Sequence, residues 1–194
     1  PFLSEKVVEN QYANINEIII TVQKEHMKEL ESLVNHFISN EIKKNVRIQI
    51  VPGGVTRQES VYNGVSQVCD KSGGVLIHDA ARPHVSPDLI LRVLSASKNN
   101  KAVIPVIPVT DTIKLITDNK VQSHLERSQL AAVQTPQYFD VNSIRAAYDI
   151  VNIQDKNLNL TDESMLMEYI DVSVATVEGS QENQKVTYQS DLNS

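Results

Sequence analysis

The sequence predicts an α/β fold: a doubly wound, mostly parallel sheet with an inserted β-hairpin. Three observations lead there. From residue 17 to residue 106, apolar runs of strand length alternate with runs of helical period. Val75-Leu76-Ile77 reads as a buried strand that spills into His78-Asp79-Ala80-Ala81-Arg82-Pro83, a polar turn before a helix. After Pro108 the alternation gives way to two β-rich runs around Thr117-Asp118-Asn119-Lys120, the pattern of a hairpin.

The totals suit one domain. The chain has 194 residues, 41% of them hydrophobic and 22% charged, with a formal net charge of −6. That charge argues against a general nucleic-acid surface while leaving room for a local basic pocket that takes a small anion. The single cysteine, Cys69, rules out an intramolecular disulfide and suits a reducing compartment. No apolar run approaches the roughly 20 residues of a membrane helix. The chain begins at Pro1 rather than Met and stops at Ser194 in a polar stretch, so we expect both ends to be cut.

Taken in order, Phe2, Leu3, Val7 and Val8 are spaced like one face of a short helix. Glu17 to Val22 is a strand apolar on both faces, which points to a central position. Lys24 to Asn40 repeats Met27, Leu30, Leu33, Val34, Phe37 and Ile38 with helical period. Val46 to Val51 alternates like a second strand. Pro52 to Arg57 is a turn, and a helix runs from about Gln58 to Cys69. Lys71 to Gly74 turns the chain into the Val75 strand, Pro87 to Ser97 is a helix, and Ala102 to Val106 a strand. Right-handed crossovers would bring Gly53-Gly54, Asp79-Arg82 and the stretch after Val106 to one sheet edge. The hairpin, residues 109–127, is expected to pack on a partner chain, because an isolated two-stranded unit buries little. Gln134 to Phe139 reads as irregular, with Pro136 keeping Thr135 out of the helical region. Val141 to Val151 is a helix, Asn152 to Leu160 a loop, and Thr161 a candidate N-cap for the helix that follows. Val172 to Val177 is a strand, Gly179 a turn and Asn183 to Tyr188 a short last strand. Asp191-Leu192 looks like the start of a helix.

Several residues carry possible chemistry. Gly53-Gly54-x-x-Arg57-x-x-Ser60 sets flexible backbone at a strand end, with a guanidinium and a hydroxyl in the first helical turn. Backbone N–H groups there could hold a base edge or a phosphate, although most Gly-Gly pairs are only turns. Asp79 could hold Mg²⁺, which favours one or two carboxylates plus substrate phosphates, and Arg82 could take a phosphate bidentately. The plainer reading pairs Asp79 with Arg82 and makes both of them caps. Thr112, Arg127, Thr135 and Thr161 each sit near a turn or an element end and read individually as structural. Lys185 alone reads as a surface lysine, His78 as a spacer or packing residue, and Cys69 as a small core residue.

The ordered set is more specific than its parts. Gly53-Gly54-x-x-Arg57-x-x-Ser60-Val61-x-Asn63-Gly64 is followed by Val75-x-x-His78-Asp79-Ala80-Ala81-Arg82-Pro83 and by Pro105-Val106-x-Pro108-Val109-x-Asp111-Thr112-Ile113-Lys114. Arg127 with Leu130, Gln134-Thr135-Pro136-Gln137-x-Phe139, Thr161-Asp162-Glu163, Glu178-Gly179, Asn183-x-Lys185-Val186-Thr187 and Asp191-Leu192 complete it. Through nearly its whole length the chain resembles the 2-C-methyl-D-erythritol 4-phosphate cytidylyltransferases of non-mevalonate isoprenoid biosynthesis.

The resemblance implies a Rossmann-like sheet of the nucleotidyltransferase type A, carrying the hairpin as a dimerisation arm. It implies transfer of CMP from CTP to the substrate's 4-phosphate, with release of pyrophosphate and a divalent metal, Mg²⁺. Carried over by position, Gly54, Arg57, Ser60 and Ala80 would surround the cytidine. Asp79, Arg82, Thr112, Arg127, Thr135 and Thr161 would serve the sugar-alcohol phosphate, with Asp79 also near the metal. Arg127 would position the attacking phosphate and Lys185 would lie near the phosphate undergoing reaction, the two catalytic assignments. The family is homodimeric, so Thr112 and Arg127 would complete the neighbouring subunit's site. The family also begins with a strand, a Gly-rich loop and a Pro-Lys-Gln segment that wrap the triphosphate. Pro1 aligns beyond these, so the domain reads as truncated at its N-terminus and this stretch alone as inactive or nearly so. Alternatives within reach are a ribitol 5-phosphate cytidylyltransferase and a non-catalytic nucleotide-binding homologue. The expected compartment is a bacterial cytoplasm, or a plastid-type organelle if a transit peptide was removed.

Overall fold

The computed structural model describes Phe2, Val7 and residues 14–151, 160–189 and 191. The expected helix at the start of the chain and the loop after Asn152 lie almost wholly outside them. The start of a helix at Asp191-Leu192 does too, apart from Asp191.

The first β-strand, β1 (Glu17–Val22), pairs in parallel with β2 (Arg47–Pro52), Ile18 opposite Ile48 and Ile20 opposite Ile50. Between them come a 3₁₀ turn at Lys24–His26, helix α1 (Met27–Phe37) and a short helix α2 (Asn40–Asn45). Among the described residues β1 pairs with β2 alone and is half-buried throughout, not central to a larger sheet.

Helix α3 (Arg57–Val65) starts where its sequence says it should. Thr56 caps it by accepting the Glu59 N–H, and the Glu59 carboxylate reaches back to the Thr56 N–H, a complete capping box. The helix ends at Val65, short of the expected Cys69, and Cys69 is exposed rather than in the core.

The second sheet has five strands. β3 (Gly74–Ile77) lies against β8 (Gln137–Asp140), and β8 lies against β4 (Ala102–Pro108). β7 (Ala131–Val133) continues along the same edge of β4, and β9 (Ala175–Glu178) pairs with β4 in parallel. β8 is antiparallel to both β3 and β4, so β3, β4 and β9 point the same way. The α/β class stands. Of the segment read as irregular, Gln134 to Pro136 is irregular and Gln137 to Phe139 instead belongs to β8; the Gln134 N–H reaches the Pro105 carbonyl.

Helix α4 (Pro87–Ser97) is capped by Ser86, carries Pro87 in its first turn and buries Leu89, Ile90, Val93 and Leu94. A larger apolar cluster joins Val65, Ile77, Ala102 and Phe139 to Ile144, Ala147 and Tyr148 of α5 (Val141–Ile150) and to Leu166 and Met167 of the 3₁₀ helix Glu163–Ile170. The N-cap of that last helix is Asp162, which accepts the Ser164 N–H; Thr161 turns its hydroxyl to Met165 Sδ instead. The expected strand at Asn183 to Tyr188 does not form. The chain there is irregular and lies against the stretch after β3, the Val186 N–H donating to the Ala81 carbonyl.

The inserted hairpin pairs β5 (Lys114–Thr117) with β6 (Lys120–His124). Its turn residues Asp118 and Asn119 both take positive φ, 51° and 60°, as a tight two-residue turn requires. Among the described residues no helix is long and apolar enough to cross a membrane.

Candidate active site

Because β3, β4 and β9 run the same way, their carboxyl ends open on one edge, where ligands of α/β sheets sit. Asp79 stands two residues beyond β3. Its Oδ1 accepts from Arg57 Nε at 3.0 Å and its Oδ2 from Lys185 Nζ at 2.8 Å. The three come from the turn after β3, the first turn of α3 and the stretch after β9. Burial alone would raise the Asp79 carboxyl; the hydrogen bond from Lys185 and the charge of Arg57 outweigh it and hold the group below the usual carboxylate range.

Arg57 is committed inward. Its Nη1 and Nη2 donate to the two oxygens of Glu163 at 2.8 and 3.0 Å, and Glu163 is 2% exposed. Burial would lower the Arg57 pKa, but Glu163 and then Asp79 drive it upward, so the guanidinium stays charged. Burial raises the Glu163 carboxyl, and Arg57 offsets part of that.

A neutral hydrogen-bond relay supports Asp79 from behind. The Asp79 N–H donates to the buried Thr135 hydroxyl at 3.1 Å, Thr135 Oγ1 lies 3.0 Å from His78 Nδ1, and His78 Nε2 lies 3.1 Å from the Arg82 carbonyl. Only the Nε2–H tautomer lets every group in that relay donate or accept once: Thr135 donates to Nδ1 and Nε2 donates to the carbonyl. Burial lowers the His78 pKa, in keeping with a neutral ring. His78 is therefore more than the expected spacer.

Arg82 does not pair with Asp79 through its side chain. Its Nη1 donates to the Asn183 carbonyl at 2.7 Å and its Nη2 to the Val133 carbonyl at 3.4 Å, which pins the strand β7 to the stretch carrying Lys185. Asn183 is fully buried and donates to the Thr135 carbonyl at 2.8 Å; Gln134 bonds the Ser180 N–H and C=O through its amide. Sequence reasoning singled out neither Gln134, Asn183 nor Glu163, although all three fall inside quoted motifs.

Gly54 lies just past β2, three residues before Arg57. A Cβ there would lie 2.2 Å from the Glu59 Cβ, so the close turn admits no side chain. The Gly54 N–H donates to Ser60 Oγ at 3.0 Å, and Ser60 donates on to the Thr56 carbonyl at 2.9 Å. Ala80 is exposed at the tip of the β3 turn, and Thr161 is exposed two residues before Glu163. Thr112 and Arg127 are exposed on the hairpin limb, where Arg127 Nη1 donates to the Thr110 carbonyl at 3.0 Å. No hydrogen bond among the described residues ties either to the Asp79 group.

Among the described residues no three His, Cys, Asp or Glu side chains are arranged to hold a metal ion. The ionised Asp79 carboxylate fits the other mode, in which Mg²⁺ takes one carboxylate and completes its shell with phosphate oxygens and water. The edge thus brings together the guanidinium of Arg57, the ammonium of Lys185 and the carboxylate of Asp79 beside the Gly53-Gly54 turn.

Comparisons with known proteins give the chain's family. The family described as IspD, 2-C-methyl-D-erythritol 4-phosphate cytidylyltransferase, matches residues 3–194. A 2-C-methyl-D-erythritol 4-phosphate cytidylyltransferase of Clostridioides difficile (strain 630) is 41% identical over 180 residues, 93% of this chain and 73% of that protein. A bifunctional enzyme IspD/IspF of Solidesulfovibrio magneticus is 45% identical over 141 residues; these make up 72% of this chain but only 34% of the bifunctional protein. The crystal structure of 4-diphosphocytidyl-2C-methyl-D-erythritol synthase from Anaerococcus prevotii superposes with a TM-score of 0.80 at 32% identity, covering 92% of this chain and 79% of that one.

Proposed function

The chain belongs to the 2-C-methyl-D-erythritol 4-phosphate cytidylyltransferase family, and from that premise we propose that it transfers CMP from CTP to 2-C-methyl-D-erythritol 4-phosphate. A phosphate oxygen of the sugar alcohol attacks the α-phosphorus of CTP. The new P–O bond forms as the α–β anhydride bond breaks, and pyrophosphate leaves with the electron pair.

The observation that carries the reading is the Asp79 carboxylate held between Arg57 and Lys185 at the carboxyl edge of the sheet. Both reactants are anions, so transfer calls for fixed positive charge where the phosphates meet. Lys185, half exposed and held 2.8 Å from Asp79, is the cation able to turn from that carboxylate to the reacting phosphate. Arg82 sits beside it and holds the Asn183 stretch in place. A Mg²⁺ ion carried by Asp79 would neutralise triphosphate charge. Gly54, Ser60, Arg57 and Ala80 form the nucleotide side; Thr135, Thr161 and Arg82 form the sugar-phosphate side.

Thr112 and Arg127 fit this reading as contributions to a neighbouring copy. Ile116 and Val121, paired across the arm of residues 109–127, are 60% and 55% exposed, an apolar pair that a second copy of this chain would cover.

The test is pyrophosphate release by the full-length protein with CTP and Mg²⁺, offered methylerythritol phosphate or ribitol 5-phosphate. Turnover with the first and not the second is expected. Preference for ribitol phosphate would move the substrate assignment, and silence with both in folded protein would sink the catalytic reading.

A further inference from the structure

Glu163 is a carboxylate buried at the start of a 3₁₀ helix, and an unpaired charge there would be costly. It reaches α3 and takes one whole edge of the Arg57 guanidinium, Nη1 at 2.8 Å and Nη2 at 3.0 Å. With that edge fixed, Arg57 meets Asp79 through Nε alone, on Oδ1. The other oxygen, Oδ2, is left for Lys185. Charges therefore alternate along Glu163–Arg57–Asp79–Lys185, and the chain crosses four segments distant in sequence.

We propose that Glu163 is a positioning residue for the transfer, restricting Arg57 to a single hydrogen bond on Asp79 so that the second carboxylate oxygen stays available to Lys185 and the reactants. The physical reason is the shape of the guanidinium. Arginine and carboxylate prefer a two-bond fork, and a freely turning Arg57 would form one on Asp79. The fork would claim both carboxylate oxygens and turn Lys185 out. A lysine at position 57 has one charged point and no fork, so it could not do the same.

The kinetic arm of the test rests on the cytidylyl-transfer reading; a second arm does not. In the full-length protein, Glu163→Gln keeps the shape and removes the charge. Its kcat is expected to fall about 10–100-fold with KM for CTP within about threefold, the signature of a lost transition-state arrangement. Adding Arg57→Lys to Glu163→Gln is expected to recover several-fold of the lost kcat, with Arg57→Lys alone as reference. Two losses of mere structural support would instead compound. Independently of turnover, the rate of Lys185 amine acylation, followed by peptide mass spectrometry without substrates, should rise several-fold in Glu163→Gln and return in the double variant. Unchanged acylation in Glu163→Gln overturns the proposal, as does a kcat loss that Arg57→Lys fails to rescue. Should the unmodified protein show no turnover while acylation follows the expected pattern, the transfer reading falls and the positioning role stands.

Discussion

Asp79 holds the most chemistry in the fewest atoms, since each oxygen of one carboxylate answers a different cation. Asp79→Asn preserves the side-chain volume and removes the charge. Pyrophosphate release under saturating substrates should fall about 10²–10³-fold, the scale of losing one preorganised electrostatic partner, with the melting curve still cooperative. Behind it, His78 gives a pH dependence whose sign follows from its lowered pKa. A ring neutral in the folded state contributes stability that is fully present above its ordinary value of 6.5 and is lost as pH falls through the lowered folded value. Melting temperature should therefore drop between about pH 7.5 and about pH 5.5, and by less in His78→Gln, which cannot protonate. An equal drop in both proteins would refute the assignment. Asp79 and Arg82 were legible as site candidates because charged side chains at a strand's carboxyl end stand out. Glu163 was not, because nothing in Thr161-Asp162-Glu163 tells which of two adjacent carboxylates faces inward. Asp162 caps its own helix and bonds Gln137, and Glu163 is the one that crosses to Arg57.

At the scale of elements, α3 has its start written locally. Thr56 and Glu59 satisfy the first N–H groups reciprocally, and the same Glu59 carboxylate accepts the Val55 N–H at 2.6 Å, stiffening the Gly54 turn. Thr56→Ala should cost about 1 kcal/mol in denaturant unfolding. It should also weaken nucleotide binding, measured by calorimetry, more than sugar-phosphate binding. Elements that depend on distant partners were harder to read. β8 alternates buried and half-exposed positions, but one buried position is Gln137, whose amide donates to Asp162 at 2.9 Å. A polar residue on the inner face hides the alternation that marks a strand. The stretch from Asn183 has β-formers in Val186, Thr187 and Tyr188, yet Asn183 is buried in bonds to Thr135 and Arg82 and bends the chain over the site. Tertiary hydrogen bonds override propensity there.

For the whole molecule, a measurement of mass tests the proposed role of the arm. Ile116→Lys places a charge in the apolar Ile116 and Val121 pair without touching the Asp79 group. Sedimentation at micromolar concentration should show a dimer for the parent chain and a monomer for the variant. A monomer for both would overturn the proposed partner role of the hairpin. Loss of turnover in Ile116→Lys, restored by mixing with Asp79→Asn protein, would place Thr112 and Arg127 in a shared site.

By itself the sequence determined the α/β class, the hairpin around Asp118-Asn119, the helices after Pro52–Arg57 and at Pro87 to Ser97, and the family. Each of these is set by neighbouring residues or by the order of short motifs along the chain. The tertiary structure decided that β8 threads antiparallel between β3 and β4, that Arg82 serves the Asn183 stretch rather than Asp79, and that Glu163 governs Arg57. Those outcomes depend on which side chains meet across 50 to more than 100 residues of chain. Burial then selects among partners of similar local appeal, because a buried charge or amide must find its complement wherever the fold has placed one.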